Sequence, residues 1–309
     1  MARFVATGPF LVLAAATLWG TTGTAQALGP DGISPIAVGV VRMAGGATLV
    51  LYALATRRTA PLRQMWGWSL VAAVVTMAVS QPLFFSGVDR TGVAVGTIVT
   101  IGSGPILAGL MAWAFRGERL GVRWAVATTV SVVGAVLLVS GGGAAGVDPV
   151  GVGLNLAAGL VWAIYLVAVK SLLDRHPPVF VAGVVFTGAA VLLAPTLLFV
   201  ETAWLTTTRG LLVVLWLTVA ATAFSYILFA HGLRGTPVAV AATLTLAEPV
   251  TAAILGMTVL DEPIRATTIV GIALVSTGLL VLARERPPEP IPEPQEPRAE
   301  NQEPRRPES

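Results

Sequence analysis

Glu248 and Arg42 are the side chains whose type and setting most directly suggest chemistry, because each stands inside a long apolar stretch. An ionisable group at bilayer depth costs at least about 2.5 to 3.5 kcal/mol on insertion scales, so it usually faces a cavity or a partner. Counted along helices, Glu248 falls roughly 16 Å and Arg42 roughly 12 Å from the same membrane edge, depths that permit an ion pair. The carboxyl reads as a proton site or an anchor for a cationic group. The plainer alternative is a carboxylate fixed by Arg42 or by the hydroxyls of Thr245 and Thr251. Arg42 in turn reads as a side chain snorkelling to the interface or as a bidentate partner for a substrate carboxylate.

Aromatic and polar groups cluster at similar depth. Trp19 and Trp162 lie near the middle of the first and sixth apolar stretches, where an indole N–H must find a partner. With Tyr165 and Tyr226 beside them, they are candidates to line a cavity, ordinary packing being the alternative. Ser80 and Gln81 in the third stretch, and Ser225 and Tyr226 at the matching place in the eighth, are polar groups that a lipid-facing surface would not carry. Trp66, Trp68, Trp124 and Trp204 read as interfacial anchors. Pro105 and Pro249 each remove a backbone donor, freeing the carbonyls of Ile101 and Thr245, so breaks are expected at both; a packing kink is the alternative. Gly92 and Gly96 suggest close helix contact in the fourth stretch. Asn155 reads as a cap, and His231 as a membrane-edge residue.

The elements that must hold these groups follow from length. Residues 12–282 are almost continuously apolar, with the few charges other than Arg42 and Glu248 falling in or beside short gaps. A helix needs roughly 20 apolar residues to cross hydrocarbon. Ten such stretches occur, at 9–28, 35–56, 66–87, 91–114, 123–140, 149–169, 178–200, 210–230, 236–259 and 266–283. Turn chemistry at 29–32, at Gly141-Gly142-Gly143 and at Pro177-Pro178 separates them. The expected fold is all-α integral membrane, ten transmembrane helices. After Ala283 the composition shifts to eight prolines, seven glutamates and five arginines, a tail (284–309) expected to be disordered.

Composition excludes much. Hydrophobic residues make up 55% of the 309, charged residues 11%, and mean hydropathy is +0.82, far from a soluble domain. A net charge of +3 with the basic residues spread among loops argues against a nucleic-acid partner. The chain has no cysteine, hence no thiolate metal site or Cys nucleophile. The two histidines, His176 and His231, lie on separate loops, and Gly102-Ser103-Gly104 has no histidine at its depth to act as a base. Neither an enzyme nor a cofactor or metal is expected. Of nineteen basic residues, fifteen fall on the amino-terminal side of the expected topology, three opposite, and Arg42 within a span. By the positive-inside rule both termini are cytoplasmic.

Sliding the chain on itself by 143 to 145 residues aligns its halves. Trp162 falls on Trp19, Pro178 on Pro35, Ser225 on Ser80, Val238-Ala239-Val240 on Val93-Ala94-Val95, Pro249 on Pro105, Glu262 on Glu118 and Gly278 on Gly134. Five spans per half is an odd number, so the copies cross the membrane in opposite senses. Inverted repeats are a transporter signature, with the solute site near the midplane between them. Glu248 aligns with Gly104 and Arg42 with Val185, so neither charge belongs to a scaffold common to both halves. Glu118 and Glu262 read as helix-end residues that fix loops, with gating as a second role.

Gly-Glu-Arg-Leu at 117–120 followed by Gly134, and Ala-Glu-Pro-Val at 247–250 followed by Leu-Asp-Glu-Pro-Ile at 260–264 and Gly278, resemble the two repeat endings of EamA-type permeases of the drug/metabolite transporter superfamily. The resemblance covers residues 9–283. It implies two five-helix repeats, at 9–141 and 149–283, around a central cavity, alternating access, and export of amino acids, metabolites or drugs. One lysine against eighteen arginines in an Ala-, Gly- and Val-rich chain suggests a bacterial source, hence a bacterial plasma membrane. The expected partners are the lipid bilayer, a small organic solute and, through Glu248, a proton. A channel, receptor or scaffold without coupled transport is the alternative, and the sequence leaves the oligomeric state open.

Overall fold

In lipid the backbone must satisfy its own polar groups, and the helix is the local way to do so. The computed structural model describes residues 2–140 and 148–284, and every regular element among them is helical. The elements run α1 (Ala2–Ala27), α2 (Pro35–Ala55), a single turn α3 (Leu62–Met65), α4 (Trp68–Thr91), α5 (Val93–Arg116), α6 (Val122–Val139), α7 (Pro149–Leu173) and α8 (Pro178–Leu193). After short 3-10 turns come α9 (Thr208–Leu215), a π-helical segment (Trp216–Phe224), α10 (Ser225–Arg234), α11 (Val238–Leu244), α12 (Ala247–Val259) and α13 (Ala266–Ala283). Among the described residues nine rods are long and apolar enough to cross a membrane. α1, at 26 residues, also has the length but carries Thr21, Thr22, Gly23 and Thr24 near one end. Outward faces present large apolar side chains such as Leu51, Trp113, Phe115 and Leu212, the surface that lipid tails accept.

Small residues set the crossings. A Cβ on Gly134 of α6 would meet the Gly271 carbonyl of α13, and one on Gly278 would meet Ser131 and Ala127. Rising numbers on α6 therefore meet falling numbers on α13, and the two helices are antiparallel. The same holds for α2 and α8, where Gly46 meets Phe186 and Thr187 while Gly183 meets Val50. Both pairs are equivalents under the 143-to-145-residue offset. The first helix of each half packs into the other half: α1 lies against α10, α11 and α12, and α7 lies against α4 and α5.

Several boundaries differ from the expectation. The third and fourth rods are separated by Gly92 alone, at φ +79°, which reaches a conformation that side chains resist. Gly92 is thus a turn rather than a helix contact, and Gly96 packs against Val88 and Asn155. α7 continues four residues beyond the expected end at 169 and takes Lys170 out of the loop into a buried position. α5 runs unbroken through Pro105, whereas the ninth rod does break, at Thr245 and Leu246 just before Pro249. At that break Glu248 N–H closes a tight turn on Thr245 O at 2.9 Å, whereas Ser103, ahead of Pro105, bonds back to the Val99 and Thr100 carbonyls within a continuous helix. The expected tail and the Gly141-Gly142-Gly143 turn lie outside the described residues, apart from Arg284.

Candidate functional site

The break between α11 and α12 aims the start of α12 at a cavity of about 300 Å³ between the halves. That is the lower end of the range for small-molecule sites. Walls come from α1, α2, α4, α5, α7, α10 and the broken rod. On α4 and α5 the lining residues, 77–84 and 97–105, run from the middle of each helix toward the end remote from Arg116. The cavity therefore occupies the middle of the bundle and one end of it.

Seven of the nine side chains expected to bind solute reach this wall: Trp19, Arg42, Ser80, Gln81, Trp162, Tyr226 and Glu248. Pro105 and Pro249 line it too. Tyr165 does not; it is 3% exposed within the core. Ser225 does not either, being fully buried behind Trp19, whose indole N–H donates to Ser225 Oγ at 2.9 Å. Ser225 Oγ itself donates to the Ala221 and Thr222 carbonyls, 2.8 Å and 3.1 Å away. Its hydroxyl is thereby held where its lone pairs face the indole. Trp19 also stacks obliquely on Tyr226, ring centroids 4.8 Å apart, and on Phe229 at 5.0 Å. These aromatic contacts pin one wall of the cavity.

The two charges do not neutralise each other by contact. Among the described residues no ion pair within 4.0 Å joins Arg42 to Glu248; Arg42 Nε makes only a long bond of 3.4 Å to Thr222 Oγ1. The hydroxyls considered as partners for Glu248 are committed to backbone: Thr245 Oγ1 donates to Ala242 O at 2.7 Å and Thr251 Oγ1 to Ala247 O at 3.0 Å. Both charges thus face the same cavity with hydrogen-bonding capacity to spare, a cation contributed by α2 and an anion contributed by α12. At the aligned positions stand Gly104, which leaves room for the Trp162 ring, and Val185, which is fully buried.

Sequence reasoning overlooked Thr97, Thr100 and Phe84 on the wall and Thr222 beside Arg42. A threonine in an apolar run carries little signal, since its hydroxyl can bond the preceding turn. The π-helical segment ahead of Ser225 and Tyr226 was also unforeseen; such segments recur at functional sites. Asn155 is no cap. It is fully buried and joins α7 to α4 and α5, its Nδ2 donating to Thr91 Oγ1 at 3.4 Å and to Gly151 O at 3.0 Å, its Oδ1 accepting from Thr100 at 3.2 Å. Two of the four tryptophans expected at the interface are also tied into the protein: Trp204 is 5% exposed, and Trp124 Nε1 donates to Ala239 O across the halves at 3.0 Å.

Glu118 and Glu262 lie away from the cavity. Glu118 reaches the start of α11, its carboxylate accepting from Val238 N at 2.8 Å and Ala239 N at 3.1 Å. Glu262 instead folds back on its own hairpin, against Gly256.

Comparison with known proteins agrees with this architecture. The model of the EamA-like transporter family matches the chain twice, over residues 6–140 and 149–284. The chain belongs to the EamA-like transporter family. It is similar to the uncharacterized transporter YwfM of Bacillus subtilis (strain 168), 42% identical over 273 residues that cover 88% of this chain and 92% of that one. The uncharacterized transporter YvbV of the same strain is 21% identical over 88% of this chain and 89% of its own. The uncharacterized transporter sll0355 of Synechocystis sp. (strain ATCC 27184 / PCC 6803 / Kazusa) is 32% identical over 110 residues, 35% of this chain and 33% of its own. A solved structure titled only as the crystal structure of a protein shares this fold, with a TM-score of 0.77 over 89% of this chain and 96% of its own, at 21% identity. The EamA-like chain is a multi-pass membrane transporter.

Proposed function

We propose that this EamA-like protein is a secondary exporter that moves a small organic solute by alternating access. In this reading ten helices form two inverted five-helix repeats in a bacterial plasma membrane, with both termini in the cytoplasm. α1 is the tenth span, and the antiparallel meeting of α6 with α13 and of α2 with α8 supports the inversion. Export is the direction the family resemblance implies, and the predominance of basic residues at the amino-terminal face supports the orientation.

The observation that carries the reading is the cavity itself, where Arg42, Glu248 and two indoles face one space of about 300 Å³ between the halves. A solute with both an apolar body and polar ends fits it: the body against Trp19 and Trp162, an anionic group toward Arg42, a cationic group toward Glu248. Amino acids and amphipathic or drug-like metabolites meet that description. Phosphorylated solutes fit poorly, with a single cation on the wall. Proton coupling through Glu248 is a separate element of the proposal.

The test is to compare the metabolites released into medium by cells with and without the gene, then to load proteoliposomes with the solute so found. Saturable efflux that is accelerated by solute on the opposite side is the expected result. Efflux that rises linearly with concentration, without acceleration, would mean a pore, and no difference between the cells would remove the exporter.

A further inference from the structure

The turn between α10 and α11 is gripped from two sides by charges that neither line the cavity nor form part of a lipid surface. Lys170, the lone lysine of the sequence and 7% exposed, extends from α7 and donates through Nζ to the carbonyls of Leu233 and Arg234, at 2.6 Å and 2.7 Å, where α10 ends. Glu118, from the α5–α6 hairpin, takes the first two amides of α11. A cation on a helix carboxyl end and an anion on a helix amino end both match the sign of the helix dipole. Arg116 lies between the two grips, its guanidinium 3.8 Å from Glu118 and 2.9 Å from Asp174, which in turn lies 3.8 Å from Lys170. All of this is at the end of the bundle away from the cavity.

The opposite end has the same backbone and a different side-chain arrangement. Gly117, at φ +67°, precedes Glu118, whose N–H reaches back to Ala112 O; Asp261, at φ +54°, precedes Glu262, whose N–H reaches back to Gly256 O. These turns are equivalent residue for residue at an offset of 144. The helix that Glu262 would face by that equivalence is α5, whose first amides belong to Val93 and Ala94, the counterparts of Val238 and Ala239. Yet α5 starts without a side-chain cap from Gly92, and the Glu262 carboxylate rests on Gly256 with no described donor bonded to it. One grip is made and its twin is not, at the closed and open ends respectively.

We propose that Glu118 and Glu262 are alternating latches: Glu118, with Lys170, holds the α10–α11 turn when that end is shut, and Glu262 takes the Val93 and Ala94 amides when the other end shuts. Each conformation then satisfies one pair of helix-start amides with a carboxylate and leaves the other pair to solvent. Lys170 has no equivalent, since position 27 is an alanine, so the Glu118 latch is the stronger and the resting protein favours the conformation described. The device rests on the two-conformation reading above, but its readout does not need the solute.

The cysteine-free sequence permits the test in the full-length protein. Thr97 lines the open cavity, while its repeat partner Ala242 is fully buried. In separate single-cysteine variants, T97C is expected to react quickly with a small maleimide and A242C slowly. Adding E118A should raise A242C labelling about five-fold, the shift in equilibrium expected from losing one side-chain cap, and lower T97C labelling by the smaller matching fraction. Adding E262A should do the reverse, lowering A242C labelling further. E262A removes a side chain without a bonded partner in this conformation, so it should fold as the parent does, and it keeps the idea testable if E118A is unstable. No change in either rate with E262A, or a rise in both rates with E118A, would overturn the latch. Absence of solute flux with reciprocal labelling intact would instead count against the transporter reading.

Discussion

Trp19 of the first half donates its indole N–H to Ser225 of the second, 2.9 Å away and buried. This single bond orients an aromatic wall of the cavity from behind. Removing the acceptor with S225A would leave a buried donor unpaired, at a cost of about 1 to 3 kcal/mol. S225A is therefore expected to melt several degrees lower in detergent and to weaken solute affinity, although Ser225 does not touch the cavity. W19F should lower affinity too, and the double variant should lose less than the sum. Strict additivity in that cycle would mean that the bond contributes nothing.

Neutralising Glu248 separates its two proposed roles. E248Q keeps the shape of the side chain but cannot bind and release a proton, so transport driven by a pH gradient should fall to background while solute exchange continues. If Glu248 also holds a cationic group, affinity should drop about ten-fold or more, the usual range for a charge-assisted bond. Uptake assays in proteoliposomes with and without an imposed gradient measure both. Full pH dependence in E248Q would exclude Glu248 as the coupling site.

Close crossing of α6 and α13 predicts a sharp contrast between two glycines. G134A would place a Cβ 2.8 Å from the Gly271 carbonyl oxygen, forcing the helices apart at about 1 to 3 kcal/mol. Gly153, on α7, has open space where its Cβ would lie, so G153A should be neutral or stabilise by up to about 1 kcal/mol through helix propensity. Thermal melting of the purified variants decides it; equal melting temperatures would contradict the crossing.

Asp148 caps α7 at the membrane edge, accepting from Val150 N at 2.9 Å and pairing with Arg90 at 3.3 Å. The Val150 amide is the main influence holding its carboxyl below the usual carboxylate range; desolvation opposes it, and Arg90 and the Gly151 amide add to the lowering. A depressed folded-state pKa contributes stability that is present above the unfolded value, near 3.8, and is lost as pH falls through the folded value. D148A should accordingly lower the melting temperature at pH 7, with the gap from the parent closing below about pH 4. A gap that persists unchanged at low pH would assign the effect to something other than the charge.

Much of this arrangement is readable from residue types. Trp, Pro and Glu are scarce enough in an Ala-, Val- and Gly-rich chain that Trp19 with Trp162 and Glu118 with Glu262 reveal the duplication, and Arg42 and Glu248 stand out because nothing else charged lies at their depth. What stays hidden is geometry decided by partners. Lys170 looks like a loop cation until α7 is seen to carry its stem along the core to two helix-end carbonyls. Tyr165 and Tyr226 have the same depth and chemistry, yet only one faces the cavity, because helix rotation is set by packing rather than by composition. Pro105 and Pro249 occupy aligned positions with different outcomes, since a proline removes one bond and the surrounding turns decide whether the helix also ends.

The interleaving of α1 with α10, α11 and α12 bears on biogenesis. The amino-terminal helix leaves the ribosome first, yet the surfaces it packs against are synthesised more than two hundred residues later. Neither half has a finished interior by itself, so nascent protein must wait in the bilayer, shielded by lipid or by insertion machinery, until the last helices arrive. Two fragments separated in the 141–147 linker should each be degraded when made alone and protect one another when made together.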